Sequence, residues 1–354
     1  MLDRAKGDNV SSKIVASLLL LLAFATLAVN AQAVEYRVVD LGTIAGGTDV
    51  RPSAINNRGQ VVGTVSTSSG YHAFLWQNGM MVDLTAETGG AAYTATGINN
   101  RGQVVGTATL GGFTHAYLWQ GGELTDLGAL SQRYCEYPSS ASQINNSGQV
   151  AGGLSLPGYS HACVWQKGAM EDIGALPSEF FYPSCSASDI NSRGQVVGVS
   201  TSYHGGHNSY TGFIWERGKM TELPIPSDWW YSHAYAINDR GTIAGSATTP
   251  TGRPHAVEWL NGTMIDLGTL PGDAFSFAYD INNSGQVVGS SSGSDGNERA
   301  CTWQNGVPTN IGLPFGAFFS KAYGVNDSGW ICGECYTPDH IGHAVLWQPI
   351  PDTQ

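Results

Sequence analysis

The chain has 354 residues, of which only 12% are charged, and its formal net charge is −12. This excess of negative charge repels nucleic-acid phosphates and anionic lipid surfaces, so neither is expected as a partner. The 47 glycines lie between regularly spaced Val, Ile and Trp residues. Such a pattern favours many short strands over helices and argues against disorder.

Residues 1–33 have the pattern of an export signal. Three basic residues precede an apolar run, Ile14–Val29, which is followed by Ala31-Gln32-Ala33. The run is shorter than the roughly 20 residues that a membrane-spanning helix needs, so a cleaved signal peptide is favoured over a membrane anchor. We therefore expect a secreted or periplasmic protein whose mature part, residues 34–354, is one domain with no membrane span.

A motif of the form Ile-Asn or Val-Asn, a turn with Gly, and a Val-rich run ending in Gly occurs seven times. The separations between copies are 43, 46, 46, 47, 44 and 44 residues, the length of one four-stranded propeller blade. The sequence therefore predicts an all-β fold, a seven-bladed β-propeller of four-stranded blades. Its anchor positions are Ile55, Ile98, Ile144, Ile190, Ile237, Ile281 and Val325.

The second copy shows how one blade is read. Residues 93–98, 103–107, 115–119 and 123–128 are predicted strands, and the Asn-Asn-Arg-Gly turn follows the first of them. The third strand carries one tryptophan in every copy, which is expected to fill the wedge between neighbouring blades. These tryptophans are Trp76, Trp119, Trp165, Trp215, Trp259, Trp303 and Trp347.

The two ends of the mature chain complement each other. Residues 36–44 match the fourth strands of other copies, such as residues 264–270, whereas the seventh copy stops after its third strand. We predict that the N-terminal mature strand completes the last blade and closes the ring, because this pairing removes an exposed sheet edge.

The segment His72-Ala73-Phe74-Leu75-Trp76, the Asp126-Leu127-Gly128 run and the Ile-Asn-Asn-x-Gly-Gln-Val-Val-Gly runs resemble the HAF-repeat family of predicted bacterial extracellular proteins. The resemblance covers essentially the whole mature chain and implies secretion and a repeat fold, but no agreed activity or site. Thr211 and Arg299 replace the motif histidine in two copies. We therefore expect each motif histidine to cap its strand or to bond a neighbouring loop.

Six cysteines occupy different positions of the repeat. Cys135 and Cys185 lie in corresponding loops of adjacent copies, where a disulfide is possible in an exported protein. Cys163 and Cys301 replace a third-strand Phe and are predicted to be buried. The pair in Cys332-Gly333-Glu334-Cys335 has the spacing of a redox or zinc motif, but a local disulfide or free thiols are favoured because no helix accompanies it.

The loops that vary between copies are predicted to share one face, and they are rich in aromatic residues. Loops on a rigid scaffold commonly carry binding residues. Four residues before each anchor the first strand also varies, and three polar side chains there could surround a funnel. The candidate ligand-binding residues are Tyr134, Tyr137, Phe181, Tyr182, Asp228, Trp229, Trp230, Tyr231, Arg51, His233 and Lys321.

No assembled nucleophile, metal set or cofactor loop is evident, so we expect no catalytic residue, metal or cofactor. The leading hypothesis is a monomeric, non-enzymatic module that binds a glycan or a protein through its aromatic loops. The alternative is a polysaccharide hydrolase or lyase, with Asp228 and Asp273, or Glu179 and Asp228, as its two carboxylates. Glycoside hydrolysis commonly needs two carboxylates at a defined separation.

Overall fold

A computed structural model describes residues 34–128, 136–177, 183–204, 207–339 and 341–351. Residues Tyr36–Gln354 form one compact unit. Within the described ranges, no helix combines the length and apolarity that a membrane crossing requires. The predicted signal peptide, residues 1–33, lies outside the described residues.

Each of the seven sequence copies, called repeats 1 to 7, begins with two strands joined by the Asn-containing turn. The first strands are β2 (Gly47–Ile55), β6 (Ala92–Ile98), β10 (Ser139–Ile144), β14 (Ser184–Ile190), β18 (Ser232–Ile237), β22 (Phe275–Ile281) and β26 (Phe319–Val325). The second strands are β3 (Val61–Thr67), β7 (Val104–Leu110), β11 (Val150–Leu156), β15 (Val196–His204), β19 (Ile243–Thr248), β23 (Val287–Ser292) and β27 (Ile331–Tyr336).

Two further strands complete each repeat. The third strands are β4 (Gly70–Gln77), β8 (Phe113–Gln120), β12 (Tyr159–Gln166), β16 (His207–Glu216), β20 (Pro254–Leu260), β24 (Glu298–Gln304) and β28 (Gly342–Pro349). The fourth strands are β5 (Met80–Asp83), β9 (Glu123–Asp126), β13 (Ala169–Gly174), β17 (Lys219–Glu222), β21 (Thr263–Gly268), β25 (Val307–Asn310) and, from the N-terminal segment, β1 (Tyr36–Asp40). A four-residue helix α1 (Leu84–Glu87) and a 3-10 turn (Pro314–Gly316) interrupt the strands.

The strands pair in chain order within each repeat, and every pair is antiparallel. Repeats 2 to 6 form five separate four-stranded sheets. The strands of repeats 7 and 1 form one eight-stranded sheet because a single parallel bridge, Asp49 to Gly342, joins β2 to β28. The predicted all-β character and the four-strand unit are confirmed, and the strands read from the second copy agree with β6 to β9 within a few residues at their ends.

Strand β1 lies beside β28, far away in sequence. Its register runs from Tyr36 opposite Pro349 to Asp40 opposite Val345. The Leu41 amide adds a hydrogen bond of 2.9 Å to the Ala344 carbonyl. The N-terminal strand therefore occupies the position in repeat 7 that a fourth strand occupies in every other repeat.

Apolar side chains are buried between consecutive repeats. Among the described residues they form seven clusters, one for each pair of neighbouring repeats, including the pair 7 and 1. Every cluster contains one third-strand tryptophan, from Trp347 with no exposed surface to the partly buried Trp215. The predicted structural role of the tryptophans is confirmed, and burying rings of this size is a main stabilising contribution.

The asparagine after each anchor residue links one repeat to the next. In repeat 4, Asn191 Oδ1 accepts hydrogen bonds from the Arg193 and Gln195 amides, and Nδ2 donates to Gln195 Oε1 and, at 3.1 Å, to the Asn238 carbonyl of repeat 5. The same inter-repeat bond recurs seven times and returns from Asn326 to the Asn56 carbonyl. The donors of this closed hydrogen-bonded ring are Asn56, Asn99, Asn145, Asn191, Asn238, Asn282 and Asn326.

All seven first strands contain a bulge two residues before the anchor, as between Ala278 and Asp280 in β22. The bulge brings the first-strand backbone close to the last Gly of the Gln-Val-Val-Gly motif. A Cβ atom on Gly289 would lie 1.9 Å from the Phe277 carbonyl oxygen, and Gly106 is similarly placed against Thr94. The motif therefore needs glycine here because the bulge leaves no room for a side chain.

Because Asn191 belongs to the hydrogen-bonded asparagine ring, we expect Asn191→Asp to destabilise the fold strongly. The substitution replaces a buried donor by a carboxylate oxygen that faces the Asn238 carbonyl and Gln195 Oε1. The expected loss is about 3 kcal/mol or more in the free energy of unfolding, measured by urea denaturation.

Asn146→Asp is the matched control for this variant. Asn146 is exposed, its Oδ1 accepts from the Asn100 amide, and repeats 5 and 7 already have Asp239 and Asp327 at this position. It should unfold at nearly the parent urea concentration. Equal destabilisation of both variants would show that the inter-repeat hydrogen bond does not contribute more to stability than the exposed contact does.

Candidate functional site

The bulge determines which first-strand side chains lie on the inner side of the ring. The residue four positions before the anchor varies among the repeats and is exposed or half-buried, whereas its two neighbours are buried in every repeat except repeat 2, where Tyr93 is half-buried. In repeats 5 to 7 these residues are His233, Phe277 and Lys321, and in repeat 1 the residue is Arg51. The bulged residues themselves are Ser53, Thr96, Ser142, Ser188, Tyr235, Tyr279 and Tyr323.

Repeats 5 to 7 place an unbroken series of aromatic rings along this inner surface, which we call the aromatic arc. His233 stacks on Tyr235 with ring centroids 5.8 Å apart. Tyr235 contacts Tyr279 at 5.8 Å, and Tyr279 contacts Tyr323 at 5.7 Å, each across a repeat boundary. Phe277 stacks on Tyr279 at 6.1 Å with the ring planes only 3° apart. The smaller hydroxyl side chains of repeats 1 to 4 occupy the rest of the circle.

The arc extends outward through the loops. Tyr210, near the start of β16, stacks on His233 at 5.1 Å and meets Tyr231 edge to face at 5.8 Å. Burial lowers the pKa of His233 and raises the pKa of Tyr235, Tyr279 and Tyr323. The rings are therefore uncharged at neutral pH and form a low-polarity wall with hydroxyl groups at its edges.

Ion pairs lie at the repeat 7 end of the arc. Lys321 Nζ is 2.9 Å from Glu298 Oε1, and Ser290 donates to the other oxygen of this carboxylate at 2.6 Å. Arg51 lies 3.0 Å from Asp49 and donates to the Tyr336 hydroxyl at 3.1 Å. The side chain of Arg51 is 61% exposed, so the guanidinium keeps a face open to solvent.

Glu334 is the buried member of this charged group. The Tyr323 hydroxyl donates to its Oε1 at 2.6 Å. Its other oxygen, Oε2, is buried, lacks a hydrogen-bond partner within the described ranges, and lies 3.8 Å from Arg51 Nε. Burial raises the pKa of Glu334 above its ordinary value. Glu334 therefore places a buried carboxyl group with one unpartnered oxygen behind Tyr323 and Arg51.

A separate small cavity lies inside the ring of Asn-containing turns. Its volume is about 160 Å³, and its wall includes the anchor residues, the ring asparagines, Gln143, Asp189 and Asp280. The lining is mostly polar, and the cavity has room for several water molecules. Asp189 accepts hydrogen bonds from the Ile190 and Ile237 amides, and Asp280 accepts them from Ile281 and Val325.

The predicted loop residues fall into different environments. Trp229 packs against a core cluster and meets His255 edge to face at 6.3 Å, whereas Trp230 is 58% exposed and Asp228 is also exposed. The Trp229–Trp230 pair is thus one packing residue and one surface residue. Tyr137 packs against a core cluster. Tyr134, Phe181 and Tyr182 lie outside the described residues.

The carboxylates predicted for the hydrolase alternative also lie in different environments. Asp273 is almost buried, pairs with Arg299 and accepts a 2.7 Å hydrogen bond from Ser291. It holds the loop between β21 and β22 rather than facing solvent beside Asp228. Glu179 lies outside the described residues. Among the described residues, no group of three or more His, Cys, Asp and Glu side chains is placed to hold a metal ion.

The proposed Cys135–Cys185 disulfide needs correction at Cys185. This residue is a free, buried thiol that packs with Ala162, Val164 and Ala187, and burial raises its pKa to about 12. Its side chain belongs to the core between repeats 3 and 4 and not to a loop. Cys135 lies outside the described residues.

The other cysteines are also buried free thiols. Cys163 and Cys301 have no exposed surface, as predicted from their third-strand positions. Cys332 and Cys335 pack into two different core clusters, because residues three apart on a strand point to opposite faces. The Cys332–Cys335 pair therefore cannot form a local disulfide or bind one metal ion together in this fold.

Five motif histidines pair with an aspartate that the sequence reasoning did not assign to them. Each Nδ1 lies 2.9 to 3.1 Å from a carboxylate oxygen of a fourth strand in the same repeat, and in repeat 7 this strand is β1. Where the histidine is replaced, by Thr211 or Arg299, the aspartate is replaced too, by Glu222 or Asn310; this joint loss was the signal that could have revealed the partner. The pairs are His72–Asp83, His115–Asp126, His161–Asp172, His255–Asp266 and His343–Asp40.

The fold resembles β-propellers of known structure. The β-propeller domain of the trilobed protease from Pyrococcus furiosus, described as having an open velcro topology, aligns with a TM-score of 0.55 and 11% identity over 87% of this chain and 95% of its own length. A puromycin hydrolase aligns with a TM-score of 0.57 and 11% identity over 87% of this chain and 53% of its own. A puromycin-hydrolyzing peptidase from Mycobacterium tuberculosis aligns with a TM-score of 0.55 and 9% identity over 88% of this chain and 54% of its own length.

This chain thus spans about half the length of the two hydrolases. At such low identity the likeness shows the propeller fold alone. No model of a known protein family matches the sequence, and no curated protein sequence matches it.

Because Asp189 and Asp280 are buried in the wall of the asparagine-ring cavity, we expect the protein to become more stable when the pH is lowered from 8 to 5. Burial raises the pKa of Asp189 to about 6 and of Asp280 to about 7, while an unfolded aspartate titrates near 4. The fold therefore binds extra protons in this window, and the stability they confer is lost as the pH rises through 6 and 7. With these pKa values the two carboxyl groups together contribute about 4 kcal/mol between pH 8 and pH 5, measured by urea denaturation at each pH.

Burial lowers the pKa of His233, so protonation of this residue destabilises the fold as the pH falls. The test therefore compares the pH dependence of stability in the parent with that in a variant that lacks the two aspartates. The Asp189→Asn/Asp280→Asn double variant should have a flatter pH profile than the parent. A double variant with the parental pH slope would contradict the assignment.

Proposed function

We propose that the protein is an exported, seven-bladed β-propeller that recognises a polyhydroxylated ligand, such as a neutral oligosaccharide, on the inner surface of its ring. The HAF-type repeats and the N-terminal signal pattern support export. The observation that carries the ligand proposal is the aromatic arc of His233, Tyr235, Tyr279 and Tyr323, which ends beside Glu334.

Two observations support seven blades with head-to-tail closure. The asparagine ring has seven donors and returns to its start, and a core cluster between repeats 7 and 1 contains Leu41 and Ile44 from the N-terminal segment. The His343–Asp40 pair, at 2.9 Å, connects the same segment to β28. The N-terminal strand thus supplies hydrogen bonds, apolar contacts and a charged contact to the last blade.

Deleting residues 35–44 is expected to destabilise the protein. The deletion exposes the edge of β28 and removes the buried side chains of Leu41 and Ile44, each worth roughly 1.5–3 kcal/mol. The expected loss is therefore about 3 kcal/mol or more, measured by urea denaturation. Removing residues 350–354 is the truncation control and should leave the transition in place. An unchanged transition after the N-terminal deletion would refute closure by this strand.

The chemistry of the inner surface suits a neutral, hydroxyl-rich ligand. Uncharged aromatic rings pack against the C–H faces of sugars, while hydroxyl groups of the ligand need acceptors and donors at the edges of the rings. The side chain of Arg51 is 61% exposed and offers donors at the edge of the arc, and the buried Glu334 Oε2 lies 3.8 Å from its Nε. Stacking and hydrogen bonding thus become available side by side.

A binding role is favoured over the carboxylate hydrolase. Asp273 is engaged by Arg299 and Ser291, and Glu298 is engaged by Lys321 and Ser290. Because these two carboxylates already bind neighbouring side chains, their role is to hold those side chains in place. Glu334 has one oxygen without a hydrogen-bond partner among the described residues, but that oxygen is buried, so this carboxyl group is not placed to attack a substrate or to activate a water molecule.

Affinity electrophoresis through gels that contain neutral polysaccharides tests the proposal. We expect at least one of cellulose-, xylan-, mannan- and dextran-type polymers to retard the protein, and the Tyr279→Ala variant to lose most of the retardation. Trp230→Ala is the matched control on the outer loops and should be retarded like the parent if the arc is the site.

A parent protein that none of the neutral polymers retards would contradict the proposal. Retardation that is lost in Trp230→Ala but kept in Tyr279→Ala would place recognition on the outer loops instead. Each variant is first compared with the parent by urea denaturation, so that loss of binding is separated from loss of fold.

A further inference from the structure

The histidine–aspartate pair of repeat 1 has a third member. Ser69 Oγ lies 3.0 Å from His72 Nε2, and His72 Nδ1 lies 2.9 Å from Asp83 Oδ2. A hydroxyl, an imidazole and a carboxylate are therefore connected in series by two hydrogen bonds of ordinary length. In this order the carboxylate keeps the imidazole proton on Nδ1, and Nε2 is then free to accept the proton of the hydroxyl group.

Local structure holds both ends of the series. Asp83 Oδ1 accepts a 3.0 Å hydrogen bond from the Ala86 amide, so only Oδ2 faces the imidazole. Thr67 Oγ1 accepts from the Ser69 amide at 3.1 Å and donates to the Gly70 carbonyl at 2.9 Å. These bonds fix the two-residue turn between β3 and β4, which places the Ser69 hydroxyl group between two acceptors for its proton, Thr67 Oγ1 at 2.8 Å and His72 Nε2 at 3.0 Å.

The serine is a feature of repeat 1 and not of the repeat pattern. No other pairing histidine has a serine three residues before it, since the position holds Gly112, Gly158, Gly252 and His340. The histidine–aspartate distances of the other repeats are nevertheless the same, 2.9 to 3.1 Å. The repeat pattern therefore explains His72 and Asp83, whereas Ser69 is particular to this turn, where its hydroxyl group also lies 2.8 Å from Thr67 Oγ1.

A pocket opens directly beside these residues. Its volume is about 480 Å³, and Ser69 and His72 form part of its wall together with Tyr71, Thr85 and Tyr93. This volume lies within the range of small-molecule sites and is about three times that of the cavity at the asparagine ring. Ser69 is exposed and the His72 side chain is 21% exposed, so a ligand in the pocket can reach both.

We propose that Ser69, His72 and Asp83 form an acyl-transfer site for small carboxylic esters. Ser69 Oγ bonds to the ester carbonyl carbon while its proton passes to His72 Nε2. The carbon–oxygen bond to the alcohol breaks, and the alcohol leaves with that proton. Water then attacks the acyl-serine by the same proton route, releasing the carboxylic acid and restoring the hydroxyl group. Asp83 is the positioning residue.

This site is independent of the ligand proposed for the inner surface, and it is tested separately. The folded protein is treated with a fluorophosphonate, which phosphonylates activated serines with loss of fluoride, and the modified residue is identified by peptide mass spectrometry. Hydrolysis of p-nitrophenyl acetate is followed in parallel. We expect one adduct per chain, on Ser69, and no adduct in Ser69→Ala.

Two further variants test the roles of the other groups. His72→Ala should slow labelling at least about 10-fold, because the hydroxyl group loses its base. Asp83→Asn keeps an acceptor for the Ala86 amide but presents a donor to Nδ1, which moves the ring proton to Nε2. It should also slow labelling and make the labelling rate depend less on pH than it does in the parent.

His161→Ala removes an equivalent pair that has Gly158 in place of the serine, so it controls for loss of a structural contact. Ser68→Ala controls for the neighbouring exposed hydroxyl group. Both should be labelled at the parental rate. Absence of an adduct on Ser69, or equal labelling rates for the parent and His72→Ala, would overturn the proposal.

Discussion

The fold depends on one side-chain amide that is repeated around the ring. Each ring asparagine satisfies the amides of its own turn through Oδ1 and bonds the backbone of the next repeat through Nδ2, as Asn191 does with Asn238. In repeats 5 and 7, Thr242 and Trp330 replace the glutamine that follows, yet the inter-repeat bond persists. The bond to the neighbouring repeat is thus the constant part of the arrangement. A buried amide with all its partners confers specificity of register as well as stability.

This constraint explains why the first strands are uniform in backbone and diverse in side chain. The asparagine fixes the end of the strand, the bulge shifts its register, and the glycine of the second strand makes room for the displaced carbonyl. Residues such as Gly289 are consequently invariant within the chain, while the positions of Phe277 and Tyr279 are free to differ. The diversity collects on the inner surface, where the bulged residue is tyrosine in repeats 5 to 7 and serine or threonine in repeats 1 to 4. An asymmetric inner surface thus arises on a repeated framework because residues such as Phe277 and Tyr279 take no part in the inter-repeat asparagine bonds.

Much of the fold was predictable from the sequence because its determinants are local and periodic. The strands, the turns, the buried third-strand tryptophans and the N-terminal match to fourth strands all follow from patterns of residue type. Contacts between strands were not predictable in the same way. The partner of His115 lies eleven residues away on a neighbouring strand, and its identity depends on register. Trp229 and Trp230 are adjacent and chemically alike, yet only the backbone path of their loop decides which one packs against the core.

The cysteines are a second case in which the sequence did not predict the contacts of a side chain. The spacing of Cys332 and Cys335 resembles a motif only if both sulfurs can meet, and a strand sends them to opposite faces. Similarly, Cys185 could be assigned to a loop until the start of β14 placed it in the core. Spacing rules carry over between proteins when the secondary structure does, so a motif taken from helical contexts has no predictive value on a strand.

The histidine–aspartate pairs connect the framework to its chemistry. As structural elements they bind the fourth strand to the third, and the pair of His343 with Asp40 does so across the junction of the two chain ends. In repeat 1 the same pair needs only one hydroxyl group to become a nucleophile–base arrangement. That hydroxyl group lies in an exposed turn, where substitutions usually change stability by less than about 0.5 kcal/mol. A change at the ring asparagines acts on every neighbouring contact, whereas a change in such a turn acts on one pocket. New chemistry in this architecture is therefore expected at turn positions beside pairs that the fold already maintains.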